Sequence, residues 1–298
     1  MVTNARLPVL WLCGAPATGK STVAWQVFSD LAGQGLCVGY LDIDQIGMLQ
    51  PPPDADSSCH RFKVDNLAAM VRNYRTAGTQ VLVISGVIDT TGRDAVGVAC
   101  DAATLVTAAS STPDTQELLG CSAGDVTIII GPRAVGKSSV SWGMAMRRWV
   151  SGEPTVYVDL DQLGFLRPAP SDASLQGANL GVIWRNALSR GANRLIANGM
   201  VTTNEDLAIL RHAVRPAPVQ ALRLAANPDT LWERIRARSA GSPARFINDD
   251  LQNATLEVQR HVHRVAVGQN VEYAASNLGD EVIDTTNLCI EEAVEQAL

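Results

Sequence analysis

The stretch GAPATGKST, residues 14–22, returns in altered form as GPRAVGKSS, residues 131–139. Both have the spacing G-x-x-x-x-G-K-[ST], and both sit between a short apolar run and a helical pattern. The glycines let the backbone curl until successive N–H groups point inward at an anion. The helix must start inside the loop, so that its N-terminal partial positive charge adds to the cradle. The lysine then reaches the outer phosphates, and the hydroxyl after it is placed to ligate Mg²⁺. Such a loop demands strand, turn and helix in that order, and so commits the chain to an α/β fold.

The repetition extends beyond the loops. At a constant offset of 117, Val23 and Trp25 fall on Val140 and Trp142, and YLDIDQIGMLQP (40–51) falls on YVDLDQLGFLRP (157–168). At an offset of 113, NLAAMVRNYRTAG (66–78) falls on NLGVIWRNALSRG (179–191), and VLVISGV (81–87) on RLIANGM (194–200). TPDT (112–115) meets NPDT (227–230). We read this as a tandem duplication of one unit. A first copy, 1–120, is truncated. A second, 121–298, continues further with an Arg-rich segment and a last strand–helix pair.

Within the second copy, strands are expected at 125–130, 155–161, 194–200, 219–226 and 282–286, with helices at 138–150 and roughly 179–190. Short apolar strands alternating with helices point to a parallel sheet covered on both faces. The expected fold class is therefore α/β: two tandem P-loop units with parallel sheets covered by helices, the first unit truncated. QPPPDADS and RPAPSDAS occupy matching positions and read as loops. The N-terminal run LPVLWLCG resembles a weak signal sequence, but it flows straight into a glycine loop and reads better as a buried first strand.

Composition narrows the function. Of 24 basic residues only Lys20, Lys63 and Lys137 are lysines, and two of these sit in the glycine loops. A compact ammonium suits a phosphate cradle where a planar guanidinium fork does not. The net charge of −6 argues against a broad nucleic-acid face. No run of 18 apolar residues suggests a membrane span. The six cysteines form no C-x-x-C pair, so a reduced, cytoplasmic protein without a zinc site is expected.

The expected nucleotide contacts are Gly131, Ala134, Val135, Gly136, Lys137, Ser138 and Ser139. Their counterparts in the first copy are Gly14, Ala17, Thr18, Gly19, Lys20, Ser21 and Thr22. The pairs Asp42/Asp44 and Asp159/Asp161 end the second strand of each copy. Residues i and i+2 share a strand face, so both carboxylates would point one way at the edge where α/β sheets bind ligands. There they can hold metal-bound water or orient an acceptor hydroxyl; turn-forming aspartates are the plainer alternative. Ser138, Asp159 and Ser21 are the metal candidates. Arg238 and Arg245 bracket a Gly/Pro stretch and would close over phosphates as a flap. Arg185 could grip an anionic substrate, or simply cover a helix face.

At these residues the chain resembles the small P-loop kinases: the shikimate, gluconate and adenylylsulfate kinases and the chloramphenicol phosphotransferase-like group. GPRAVGKSS resembles their phosphate loop and YVDLD their second strand. LRLAANPDTLWERIRAR is similar to their lid entry, and VIDTTNLCIEEAVEQAL to their closing strand and helix. The resemblance implies ATP, Mg²⁺ and a hydroxylated small-molecule acceptor. In the expected reaction Lys137, Asp159, Asp161, Arg238 and Arg245 take part, and Asp161 and Arg185 bind substrate. The third strand departs from the pattern, ending NGMVTT without an Asp. The first copy would be structural or regulatory. A nucleotide sensor without transfer activity and a plain NTP hydrolase are the alternatives. No nucleic-acid or membrane partner is expected, and the oligomeric state stays open.

Overall fold

The computed structural model describes residues 7–15, 17–46, 48–54, 56–87, 124–241 and 251–298. Along the chain the elements are β1 (Val9–Leu12), α1 (Lys20–Gly33), β2 (Val38–Asp42), β3 (Met48–Gln50), α2 (His60–Thr76) and β4 (Val81–Ser85). They continue with β5 (Asp125–Ile130), α3 (Lys137–Val150), β6 (Thr155–Asp159), β7 (Leu166–Arg167), α4 (Ser174–Leu188), β8 (Arg194–Asn198) and α5 (Asn204–Ala213). The last are β9 (Val219–Ala225), α6 (Pro228–Ser239), α7 (Leu256–Ala275), β10 (Glu281–Asp284) and α8 (Ile290–Ala297). Short 3₁₀ turns follow β2 at Ile43–Gln45 and β6 at Leu160–Leu163. Elements β1 to β4 thus recur, in the same order, as β5 to β8.

Two sheets result, in the orders β1-β4-β2-β7 and β10-β9-β5-β8-β6-β3. All neighbours are parallel except β7 against β2 and β3 against β6. Each sheet therefore ends in an antiparallel strand contributed by the other half. Met48 faces Tyr157 and Gln50 faces Thr155, while Val38 faces Arg167. Each exchanged strand ends on the first residue of a stretch that the sequence suggests is a loop, Gln50 and Arg167, and otherwise lies in residues with no assignment. Their alternation is two or three residues long, too short for a periodicity signal.

The side-chain period of two sorts each strand onto two faces. On β5, Val126, Ile128 and Ile130 enter the largest apolar cluster, and Ile129 enters another with Val140, Met144, Ala293 and Val294 of the covering helices α3 and α8. The larger cluster runs from Leu41, Leu82 and Ile84 of the first sheet through α2 and α4 to the second sheet, so the halves share one core. Behind the first sheet, α1 supplies Ala24 and Phe28 against Val38, Tyr40 and Val83. Here Trp25 meets Tyr40 and, from the other half, Phe165. In the second half Trp142 meets Tyr157 beside Met48.

The expected burial of the first strand is not met. Val9 and Leu10 are 38% and 44% exposed, because among the described residues β1 pairs only with β4 and forms a sheet edge. Its counterpart β5 lies between β8 and β9, and there Val126 is 1% exposed.

Candidate functional site

Both glycine loops adopt the same left-handed pattern. Gly131, Ala134 and Gly136 have φ of 149°, 63° and 106°; Gly14, Ala17 and Gly19 have 155°, 62° and 82°. Each following helix begins at the lysine, with Gly136 or Gly19 at the N-cap and no side chain capping it. The first-turn N–H groups are thus free to meet an anion.

Lys137 is held inside its loop by the carbonyls of Gly131 and Pro132, at 2.9 and 3.1 Å. Burial lowers the pKa of its ammonium, and Asp161 and Asp159 oppose that shift. Ser138 donates to Asn198 Oδ1 at 3.0 Å. The Asn198 amide group donates in turn to the Tyr157 hydroxyl at 3.1 Å. Asn198 had no role in the sequence reading. Its match with Ser85 at the end of the third strand was the available signal.

The two aspartates are brought together, but not along a strand face. β6 ends at Asp159, and Asp161 already lies in the 3₁₀ turn. Asp159 caps that turn, its Oδ1 accepting from the Asp161 N–H at 2.9 Å. Asp42 does the same for Asp44. Asp161 Oδ1 is tied to the Met200 N–H at 2.9 Å. Burial, then the charge of Asp161, pushes the Asp159 carboxyl up to about 7.

Arg238 stands half-exposed near the end of α6, and its charge, like that of Arg133, bears on Lys137. Arg245 lies outside the described residues. Arg234 has a different task from the flap. Its Nη1 donates to Val135 O and Thr285 Oγ1 at 2.8 and 2.9 Å, and its Nη2 to Thr285 O at 2.8 Å. It clamps α6 to the loop and to the end of β10. From α7, Gln269 Oε1 accepts from the Arg133 N–H at 3.0 Å, a contact with no local sequence signal. Arg185 lies on α4, the helix whose Gln176 and Asn179 donate to Leu160 O and Leu163 O of the acidic turn, and its guanidinium reaches back beside Gly181.

Among the described residues, the first half keeps the loop with less cover. Gly14, Ala15, Ala17, Thr18 and Gly19 are exposed, whereas Gly131, Pro132 and Val135 are buried. Lys20 donates to Ala15 O at 2.7 Å. Ser21 and Ser85 both donate to Asp42 Oδ2, at 3.2 and 3.1 Å. Asp42 is raised above the usual carboxylate range, chiefly by burial. Lys63, at the position of Gln176, forms an ion pair with Asp44 at 3.2 Å.

No family model matches the chain, and no curated protein matches it. Solved structures do. The chain is similar to small-molecule kinases. A gluconokinase from Sinorhizobium meliloti 1021 is 16% identical, with 59% of this chain and 90% of that one covered at a TM-score of 0.38. A shikimate kinase from Bacteroides thetaiotaomicron is 13% identical over 58% and 95%, at 0.38. The Deinococcus radiodurans tunicamycin resistance protein is 17% identical over 58% and 93%, at 0.41. At these values the similarity assigns no activity. No described helix is long and apolar enough to cross a membrane.

Proposed function

We propose that the second half transfers the γ-phosphoryl group of ATP to the hydroxyl of a small polar acceptor. One observation carries the reading: a curled amide loop with its own lysine lies beside two adjacent carboxylates, one of which, Asp159, is buried with its pKa raised towards neutrality. The loop amides of 131–138 and Lys137 hold the phosphates. Arg238, and Arg245 beyond it, balance the charge that spreads over the transferring group.

Asp159 and Asp161 face the acceptor. The acceptor oxygen forms the new P–O bond as the bond to the leaving ADP oxygen breaks, and the hydroxyl proton passes to the aspartate pair. A carboxylate near pKa 7 matches that task at neutral pH. Tying Asp161 to the Met200 N–H fixes its orientation before substrate arrives.

Mg²⁺ fits the oxygens present. Ser138 and Asp159 are hard donors, and Mg²⁺ needs few protein ligands where phosphates and water complete its shell. Burial, and then the charge of Asp161, disfavours the ionised Asp159 carboxylate, and a divalent cation would relieve that cost. Its contribution when bound is to neutralise phosphate charge.

The first half we read as a nucleotide-binding element without transfer, because Lys63 neutralises the carboxylate that would face an acceptor. We also propose that the two halves are tandem copies of one unit, meeting near residue 120.

The test is ADP release from ATP and Mg²⁺ across a panel of sugars, nucleosides and hydroxy acids. Acceptor-stimulated release that disappears in Lys137→Ala, with the fold intact by circular dichroism, is the expected result. Undiminished release in that variant refutes the assignment. Release indifferent to every acceptor indicates a hydrolase, and tight binding without release a sensor.

A further inference from the structure

The matching asparagines Asn73 and Asn186 have no part in phosphoryl transfer, yet they join the two halves. Asn73 Nδ2 donates to Asn179 Oδ1 at 2.9 Å, and Asn186 Nδ2 donates to Asn66 Oδ1 at 2.8 Å. Asn179 Nδ2 donates onward to Leu163 O, and Asn66 Nδ2 to Ile46 O, each at 2.7 Å. Asn66 and Asn179 are wholly buried. Four polar side chains therefore make a reciprocal set between α2 and α4, where apolar residues would pack at lower desolvation cost.

The ends of this set are informative. Leu163 closes the 3₁₀ turn that carries Asp161, and Ile46 follows the turn that carries Asp44. Each acidic turn is thus read by an asparagine of its own half, and that asparagine is gripped by one from the other half. The exchanged strands make a parallel link. β3, which follows Asp42 and Asp44, pairs with the strand ending in Asp159. β7, which follows Asp159 and Asp161, pairs with the strand ending in Asp42, and the Tyr40 N–H donates to Phe165 O at 2.9 Å. A turn that shifts when phosphates arrive at one loop strains hydrogen bonds held by the other half. An amide set whose two inner members, Asn66 and Asn179, are buried and hydrogen-bonded through both amide atoms tolerates few alternative registers.

We propose that this asparagine set couples the two phosphate sites, so that nucleotide on the first loop changes the affinity of the second. The inference rests on reading both loops as nucleotide sites. The two ends are unequal: the first loop is open to solvent and suits an input, while the second lies under α6 and α7. Coupling of this kind is reciprocal by linkage, so the second site biases the first by the same factor.

A calorimetric titration of the full chain with a non-hydrolysable ATP analogue and Mg²⁺ tests it. In Lys20→Ala only the second loop binds. Its affinity there is expected to differ at least about fivefold from that of the second site in the wild-type chain with the first loop filled. In Asn73→Ala/Asn186→Ala, and in the same variant carrying Lys20→Ala, the two values should converge.

Hydrogen exchange supplies a readout that needs no asparagine variant. Analogue added to Lys20→Ala should slow exchange of the Tyr40 amide in the first sheet. Equal second-site affinities in wild type and Lys20→Ala, an unaltered Tyr40 amide, or coupling that survives both asparagine substitutions in a folded protein would each overturn the proposal. Absence of binding at both loops would overturn the nucleotide-site reading, and this inference with it. Binding at both without coupling overturns this inference alone.

Discussion

Ser138 donates its hydroxyl proton to Asn198 Oδ1 at 3.0 Å, whereas the matching Ser21 donates to Asp42 Oδ2 at 3.2 Å. One position makes the difference. Asn198 stands where the first half has Ser85, and its longer amide reaches the loop serine directly. Ser85 is too short to do so and turns to Asp42 instead. The end of the third strand thereby decides what the loop hydroxyl is tied to, although it lies 60 residues away from it in sequence.

Asn198→Ala removes the acceptor of Ser138 and the donor to the buried Tyr157 hydroxyl. These two hydrogen bonds, each contributing about 0.5–1.5 kcal/mol, are lost. Urea unfolding should show a loss of their summed size, with weaker nucleotide binding at the second loop. A neutral effect on both would contradict the contacts described.

The two glycines of the second loop should respond unequally. A Cβ on Gly131 would lie 2.6 Å from Leu224 O, with φ at +149°; one on Gly136 meets nothing within 4 Å, at +106°. Gly136→Ala carries only the left-handed backbone penalty of about 1–2 kcal/mol. Gly131→Ala adds overpacking of about 1–3 kcal/mol. Thermal unfolding of both variants checks the order, and equal losses would count against the close approach of the loop to β9.

Asp159 provides a pH signature. Its carboxyl is raised from 3.8 to about 7 in the fold, so the folded state holds the proton more tightly than the unfolded chain. Its contribution is most favourable below the unfolded value and is lost as pH rises from about 4 to 7. Asp159→Asn should therefore raise the melting temperature more at pH 8 than at pH 5. A gap that does not change with pH would show that the carboxyl is not raised.

Arg234→Ala severs three contacts joining α6 to Val135 and Thr285. Hydrogen bonds to a charged group contribute about 1.5–3 kcal/mol, so a loss of that size is expected in urea unfolding. Arg234→Lys should restore little of it, because a single ammonium cannot span the carbonyls that the guanidinium fork bridges. Full rescue by lysine would show that charge alone matters there.

Much of this architecture was legible in the chain. The glycine loops, the helices that start inside them and the order of strands and helices follow from patterns only a few residues long. Left-handed glycines, a lysine and an apolar run suffice locally. The repeat added that both halves would place equivalent residues alike, as Asp42 and Asp159 show, each capping the turn that follows. The same local reading went astray at the Asp pairs. A period of two on paper became a strand end plus a 3₁₀ turn, because the Asp159 side chain offers the backbone a cap in place of another ladder position. It also went astray at β1, whose apolar sequence suits a buried strand but whose outer edge, among the described residues, meets no neighbour.

Motifs written in consecutive residues thus determined where phosphates are expected and which helices begin there. Only the tertiary structure decided that β3 and β7 trade sheets, that Arg234 clamps α6 to the loop and that four asparagines bridge the halves. The reason is physical. Two segments of matching sequence can pair their strands within a segment or across the two, and both choices leave the same apolar pattern. Which one forms depends on contacts between residues about 100 positions apart, such as Asn73 and Asn179, and those leave no periodicity to read.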